Sequence, residues 1–312
     1  MGHSHTHAHG HATVADGGDR RLLGSALGLI LALMVGEVVA GVLASSLALL
    51  ADAGHMLTDA AALAMAVGAA VMAERPPQGR WTWGFRRLEV LAAQVNGATL
   101  GVLGIWIVYS AARRLVSPPD VHGAVVLGVA LAGVCVNLVA TALLARANRE
   151  SINVQGAFAH VVTDLAAFVG TALAGLLVLL TGWNRFDPIA SLLVAALMFW
   201  AAARLLRESS RIFLEVSPRE LDPDEVGAAI AAVPEVAEAH DLHVWTVTSG
   251  FPALSAHVLC RADSDCHAVR RQIERMLQER FGLEHTTLQV DHVAAPGAAP
   301  VEFRRRVEGH RR

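Results

Sequence analysis

The chain has 312 residues, 54% of them hydrophobic and 17% charged, with a mean hydropathy of +0.45. A soluble domain carries about 25% charged residues, so this composition excludes an ordinary soluble enzyme. The formal charge of −3, with arginine supplying every basic side chain, leaves no basic field for nucleic acid.

Residues 1–20 form a polar tail in which His3, His5, His7, His9 and His11 alternate. A flexible tract of this kind collects divalent metal weakly; a dispensable tail is the alternative. The tail has no basic flank, apolar core and cleavage site in series, so no signal peptide is expected.

Six apolar stretches follow at 22–44, 47–73, 88–112, 122–145, 154–181 and 186–206, within a membrane domain over 21–212. Each has the roughly 20 residues needed to cross about 30 Å of hydrocarbon. The breaks are loop-like: Ala44-Ser45-Ser46, Pro76-Pro77-Gln78-Gly79, Pro118-Pro119-Asp120, Arg149-Glu150-Ser151 and Gly182-Trp183-Asn184. With the N-terminus inside, the inner flanks hold most of the span-end arginines and the outer ones only Arg113, Arg114 and Arg185. The positive-inside rule therefore puts both termini in the cytoplasm.

After residue 212 charged residues return, and 213–293 reads as a small α+β domain. Asp222 and Pro223 open a helix to Ala232. Strands over 242–247 and 253–260 flank Ser249-Gly250-Phe251-Pro252 as a hairpin. A helix over 265–281 ends at Gly282, and 286–290 is a third strand. This αββαβ order fits a ferredoxin-like sandwich. Residues 294–312, with Arg304-Arg305-Arg306, read as a mobile basic tail. Cys135, Cys260 and Cys266 are too few and too scattered for a disulfide framework or a CxxC zinc knuckle.

Ionisable groups inside a span cost about 2.5–3.5 kcal/mol each, so their presence points to a site. The second span holds Asp52, His55 and Asp59; the fifth holds His160 and Asp164. His55 and Asp59 are four apart, as are His160 and Asp164, so each pair lies on one helical face. Two helices would then supply a His2Asp2 set suited to tetrahedral zinc. At about 1.5 Å per residue, Asp59 and Asp164 both fall about 15–18 Å from opposite faces, near the bilayer midplane where transporters place their sites. Two private His–Asp hydrogen bonds are the alternative. Asp52, one turn before His55, either guides cations out or caps the second span. Glu37, Asn96 and Asn137 suit interhelical hydrogen bonds better than ligation.

The run Leu50-Ala51-Asp52-Ala53-Gly54-His55-Met56-Leu57-Thr58-Asp59, the segment Trp83-Gly84-Phe85-Arg86-Arg87-Leu88-Glu89, the His160–Asp164 pair and His240-Asp241-Leu242-His243-Val244-Trp245 together resemble the cation diffusion facilitator family of zinc transporters, over about residues 20–293. The resemblance implies a homodimer in the lipid bilayer whose protomers export Zn2+ in exchange for H+. It implies His55, Asp59, His160 and Asp164 as the transport site, with His55 favouring zinc over cadmium.

It further implies zinc bound by His240, His257, His267 and Asp291 at a cytoplasmic dimer interface. Gln289 stands where a histidine is expected, which puts one of two neighbouring zinc sites in doubt. His243, His285 and Cys266 are substitutes for it, or surface and core residues. Gln78, Trp81 and Phe85 replace the ligands that some relatives carry after the second span, so no metal is expected there. Arg87 matches a basic residue that pairs with an acid beyond the sixth span, here Glu215. The absence of a targeting sequence and the short loop at 146–153 favour a bacterial inner membrane.

Two other readings compete. A membrane-anchored zinc sensor would bind without transport. An intramembrane zinc hydrolase would need an open coordination position and a general base, as in HExxH, and the sequence has no such motif.

Overall fold

Six long helices occupy the six apolar stretches: α1 (Gly17–Leu43), α2 (Leu47–Ala73), α3 (Leu88–Val116), α4 (Gly123–Leu144), α5 (Ile152–Thr181) and α6 (Phe186–Phe213). The computed structural model describes residues 17–73, 75–144 and 152–293, without the side chains at 17–27, 29–30, 63, 66–67, 70, 140–144 and 152–163. The histidine tract, the basic tail and the side chain of His160 lie outside the described residues. Within them, α3, the Asp164–Thr181 part of α5, and α6 are long and apolar enough to cross a bilayer.

The chain divides into two compact units, Met1–Gly68 with Ala92–Arg207, and Ala69–Leu91 with Glu208–Arg312. In the first, Ala51 of α2, Leu100 and Ile107 of α3, Ala167 of α5, and Val194 and Met198 of α6 form one buried cluster. Lipid tails are as apolar as leucine, so packing rather than hydrophobic expulsion brings such helices together, and small residues permit it. A Cβ on Gly123 would meet the Gly175 carbonyl oxygen at 2.8 Å, and one on Gly175 the Leu127 nitrogen at 2.7 Å, so α4 and α5 touch backbone to backbone. A Cβ on Gly133 would intrude on the Phe168 ring, sealing the same seam further along. Outward faces stay apolar, as at Val102, Ile105, Trp106 and Tyr109 of α3.

The α1–α2 turn is built from two caps in series. Ser45 adopts φ 54°, and Ser46 N–H bonds the Gly41 carbonyl at 2.9 Å while Ser45 N–H bonds that of Val42, a Schellman closure of α1. Ser46 then caps α2, its hydroxyl accepting from Leu49 N–H at 3.2 Å. Nearby turns interlock: Asn184 donates to Asp120 at 3.2 Å, and Arg185 Nε donates to the Leu115 carbonyl at 2.7 Å.

The C-terminal elements follow the order α7 (Pro223–Ala231), β1 (Val236–Thr248), β2 (Phe251–Cys260), α8 (Cys266–Phe281) and β3 (His285–His292). Asp222 caps α7 through Asp224 N–H, and Asp265 caps α8 through His267 and Ala268 N–H. The sheet order is β1-β2-β3, β1 and β2 antiparallel, β2 and β3 parallel. Leu254, Ala256, Val258 and Cys260 of β2 turn one face onto Val226 and Ile230 of α7 and Val269, Ile273 and Leu277 of α8. Side chains alternate along a strand, so His257 and Leu259 turn to the opposite face.

Candidate metal centre

α2 presents its ligands from a fixed origin. The buried carboxylate of Asp187, in the first turn of α6, accepts from Ser46 Oγ at 2.5 Å, Leu47 N–H at 2.7 Å and Ala48 N–H at 3.3 Å. An anion here also meets the positive end of the α2 dipole. Arg114 of α3 completes the clamp, 2.6 Å from the Ser45 carbonyl and 3.9 Å from Asp187. Eight residues on, about 12 Å along the axis, α2 delivers His55.

His55 is 6% exposed. Its Nε2 lies 3.6 Å from Asp59 Oδ2, one turn along α2, and 3.9 Å from Asp164 Oδ1 on α5. One imidazole edge and two carboxylates from two helices thus converge. The α5 backbone carries His160 one turn before Asp164. Three N and O donors of this kind, spaced for ion pairing rather than tight hydrogen bonding, suit a divalent cation between them.

Behind the histidine, Asp52 is 2% exposed and Glu37 fully buried. Asp52 is not the cap of α2, because Ser46 and Asp187 take that role. Asn96 and Asn137 are buried, as interhelical polar groups require.

In the C-terminal unit, His240 and His257 are direct cross-strand partners with ring centroids 5.6 Å apart. Asp291 and Gln289 of β3 share their outward face, the Gln289 amide donating to Asp291 at 2.9 Å. His267 lies in the first turn of α8. The candidate substitutes are otherwise engaged: His243 with Asp241 at 3.0 Å, His285 edge-on to Trp83 at 5.0 Å, and Cys266 in disulfide contact with Cys260. Among the described residues, Cys260, Cys266 and His292 offer three ligand atoms that all lie within 4.8 Å of one another.

After α2, Trp81 and Phe85 stack with centroids 5.0 Å apart and Gln78 pairs with Trp81 along the backbone. Arg87 Nη2 reaches Glu215 Oε1 at 2.9 Å. Glu215 sits in a left-handed conformation (φ 56°), closing α6 as Ser45 closes α1.

Two family models match the sequence: the cation efflux transmembrane domain over residues 24–214 and the cation efflux protein cytoplasmic domain over 218–293. The chain belongs to the cation efflux family. This cation diffusion facilitator is therefore an integral membrane transporter and not an enzyme. It is 41% identical over 294 residues to the zinc transporter ZitB of Shigella flexneri, covering 94% of this chain and 93% of that protein. It is 32% identical over 299 residues to a cadmium, cobalt and zinc/H(+)-K(+) antiporter of Bacillus velezensis, covering 94% and 93%. The metal-bound C-terminal domain of CzcD from Cupriavidus metallidurans aligns at TM-score 0.22 and 35% identity, over 22% of this chain and 97% of that one.

Sequence reasoning missed two features of this cation efflux protein. Asp187 is an acid at the head of an apolar span, and the rule that singled out Asp59 applies to it equally. The Cys260–Cys266–His292 group had no spacing signal, since its members meet only through the fold.

Proposed function

We propose that the protein exports Zn2+ from the cytoplasm as a proton antiporter working by alternating access. The observation that carries this is the His55 imidazole set between Asp59 and Asp164, buried among apolar helices. With His160 as fourth ligand, two carboxylates and two neutral imidazoles would balance a divalent charge. Ligation needs deprotonated nitrogen, so protons compete with the ion for the imidazoles. Histidine titrates near pH 6.5 when unperturbed, which lets a proton gradient bias loading and release.

In this reading six helices span a bacterial inner membrane with both termini in the cytoplasm, and the C-terminal domain is a ferredoxin-like αββαβ sandwich that pairs two protomers. His240, His257, His267 and Asp291 would hold zinc where those domains meet. The cross-strand imidazoles and the carboxylate on one outward face supply suitable donors. The names of the relatives, zinc and cadmium–cobalt–zinc transporters, support the ion class.

Zinc flux into proteoliposomes with and without an imposed pH gradient tests the reading. Flux driven by an inward-acid lumen, abolished by Asp59→Asn and Asp164→Asn in folded protein, is the expected result. Zinc binding without flux would replace the exporter with a sensor, and flux indifferent to pH would remove the proton coupling.

A further inference from the structure

Three side chains unused by the transport reading meet where β2 and β3 end. Cys260 is the last residue of β2, fully buried, and its register partner on β3 is His292. His292 shares the helix-facing side of β3 with Leu288 and Val290, whereas Gln289 and Asp291 face the other way. Cys266 enters as the first residue of α8. The two Sγ atoms and an imidazole nitrogen of His292 all lie within 4.8 Å of one another, and Cys266 Sγ is 3.3 Å from Nε2.

The connecting loop is held in place from several sides. Arg261 N–H donates to the Glu235 carbonyl at 3.0 Å, and Ser264 Oγ donates to the Glu235 carboxylate at 3.0 Å. Asp265 caps α8 beside them. The Ser264 carbonyl lies 2.9 Å from His292 Nε2 and accepts its proton, so ligation uses the ring's other nitrogen or replaces this bond. Two thiols and an imidazole at this spacing form a ligand set for a soft or borderline cation, with a fourth position open to water. This is the domain whose family model is the cytoplasmic one, and the cytosol keeps thiols reduced. There the pair meets metal as thiols, and binding releases their two protons to solvent.

We propose that Cys260, Cys266 and His292 form a Zn2+ site on the helix-facing side of the sheet, separate from the outward-facing His240 and His257. It stands independently of which ion the membrane helices carry.

The test uses the full-length protein, purified with reductant in detergent, on a Cys135→Ser background that leaves only these two thiols. Zn2+ is expected to slow maleimide labelling of Cys266 at least tenfold, and Co2+ to give a thiolate-to-metal charge-transfer band. Cys266→Ala should abolish the band and His292→Ala should weaken Zn2+ protection at least tenfold. Both replaced side chains lie at the surface end of the cluster, and unchanged circular dichroism confirms that the variants fold. Labelling rates indifferent to Zn2+, a band that survives Cys266→Ala, or a disulfide trapped by alkylation in freshly lysed cells would each overturn the proposal.

Discussion

Replacing Asp187 with alanine removes the acceptor that fixes the start of the ligand-bearing helix. Three donors, Ser46 Oγ and the Leu47 and Ala48 N–H groups, lose their partner at once in a site where Asp187 is only 1% exposed. Hydrogen bonds to charged groups contribute about 1.5–3 kcal/mol each, though not additively. Removing one partner of a buried pair costs about 3–5 kcal/mol, and Arg114 is left facing the gap. Taking about 3–5 kcal/mol as the total, and about 2–4 °C per kcal/mol for a domain of this size, the melting temperature should fall by about 6–20 °C. Asp187→Asn keeps one carbonyl acceptor and should lose about half as much. Scanning fluorimetry of the three proteins in one detergent makes the comparison. A melting temperature for Asp187→Ala within about 2 °C of the parent would refute the clamp.

Three further outcomes follow from the geometry. Gly133→Ala forces a methyl into the Phe168 ring, four residues beyond Asp164, and should destabilise by about 1–3 kcal/mol; Phe168→Leu in the same chain should recover part of the lost melting temperature. The Asp265 carboxyl is held below its ordinary range by the Ala268 N–H first and the His267 N–H next. A carboxyl depressed in the folded state adds stability above its unfolded value and loses it as pH falls through the folded one. Asp265→Asn should therefore lose that contribution at neutral pH and flatten the acid limb of a melting-temperature–pH profile below about pH 4. A double-mutant cycle on Arg87 and Glu215, 40% and 57% exposed, should return a coupling of only about 0.2–1 kcal/mol, shrinking further in high salt.

Helix positions were legible because a bilayer-length apolar run has few alternatives, and the His55–Asp59 spacing survives as a face of α2 because helical periodicity is local. The sixth helix runs on to Phe213 rather than stopping at 206. Arg204, Arg207 and Arg211 mark a change of solvent, but backbone hydrogen bonding continues through it. β1 begins at Val236, six residues before the expected 242, because the pairing slips between His240 and His243 and Asp241 takes φ 53°. Such a bulge breaks the two-residue alternation on which strand reading depends. Asp187 lies 141 positions from Ser46, and no window along the chain contains both. The meeting of Cys260 with Cys266 and His292 likewise needs a strand register that hydropathy does not encode.

The bare backbones at Gly123 and Gly175 leave no cushion where α4 meets α5. With no side chain between them to compress or swivel, any larger residue at either glycine would have to push α4 and α5 apart. α2 is tied to α6 instead, through Asp187.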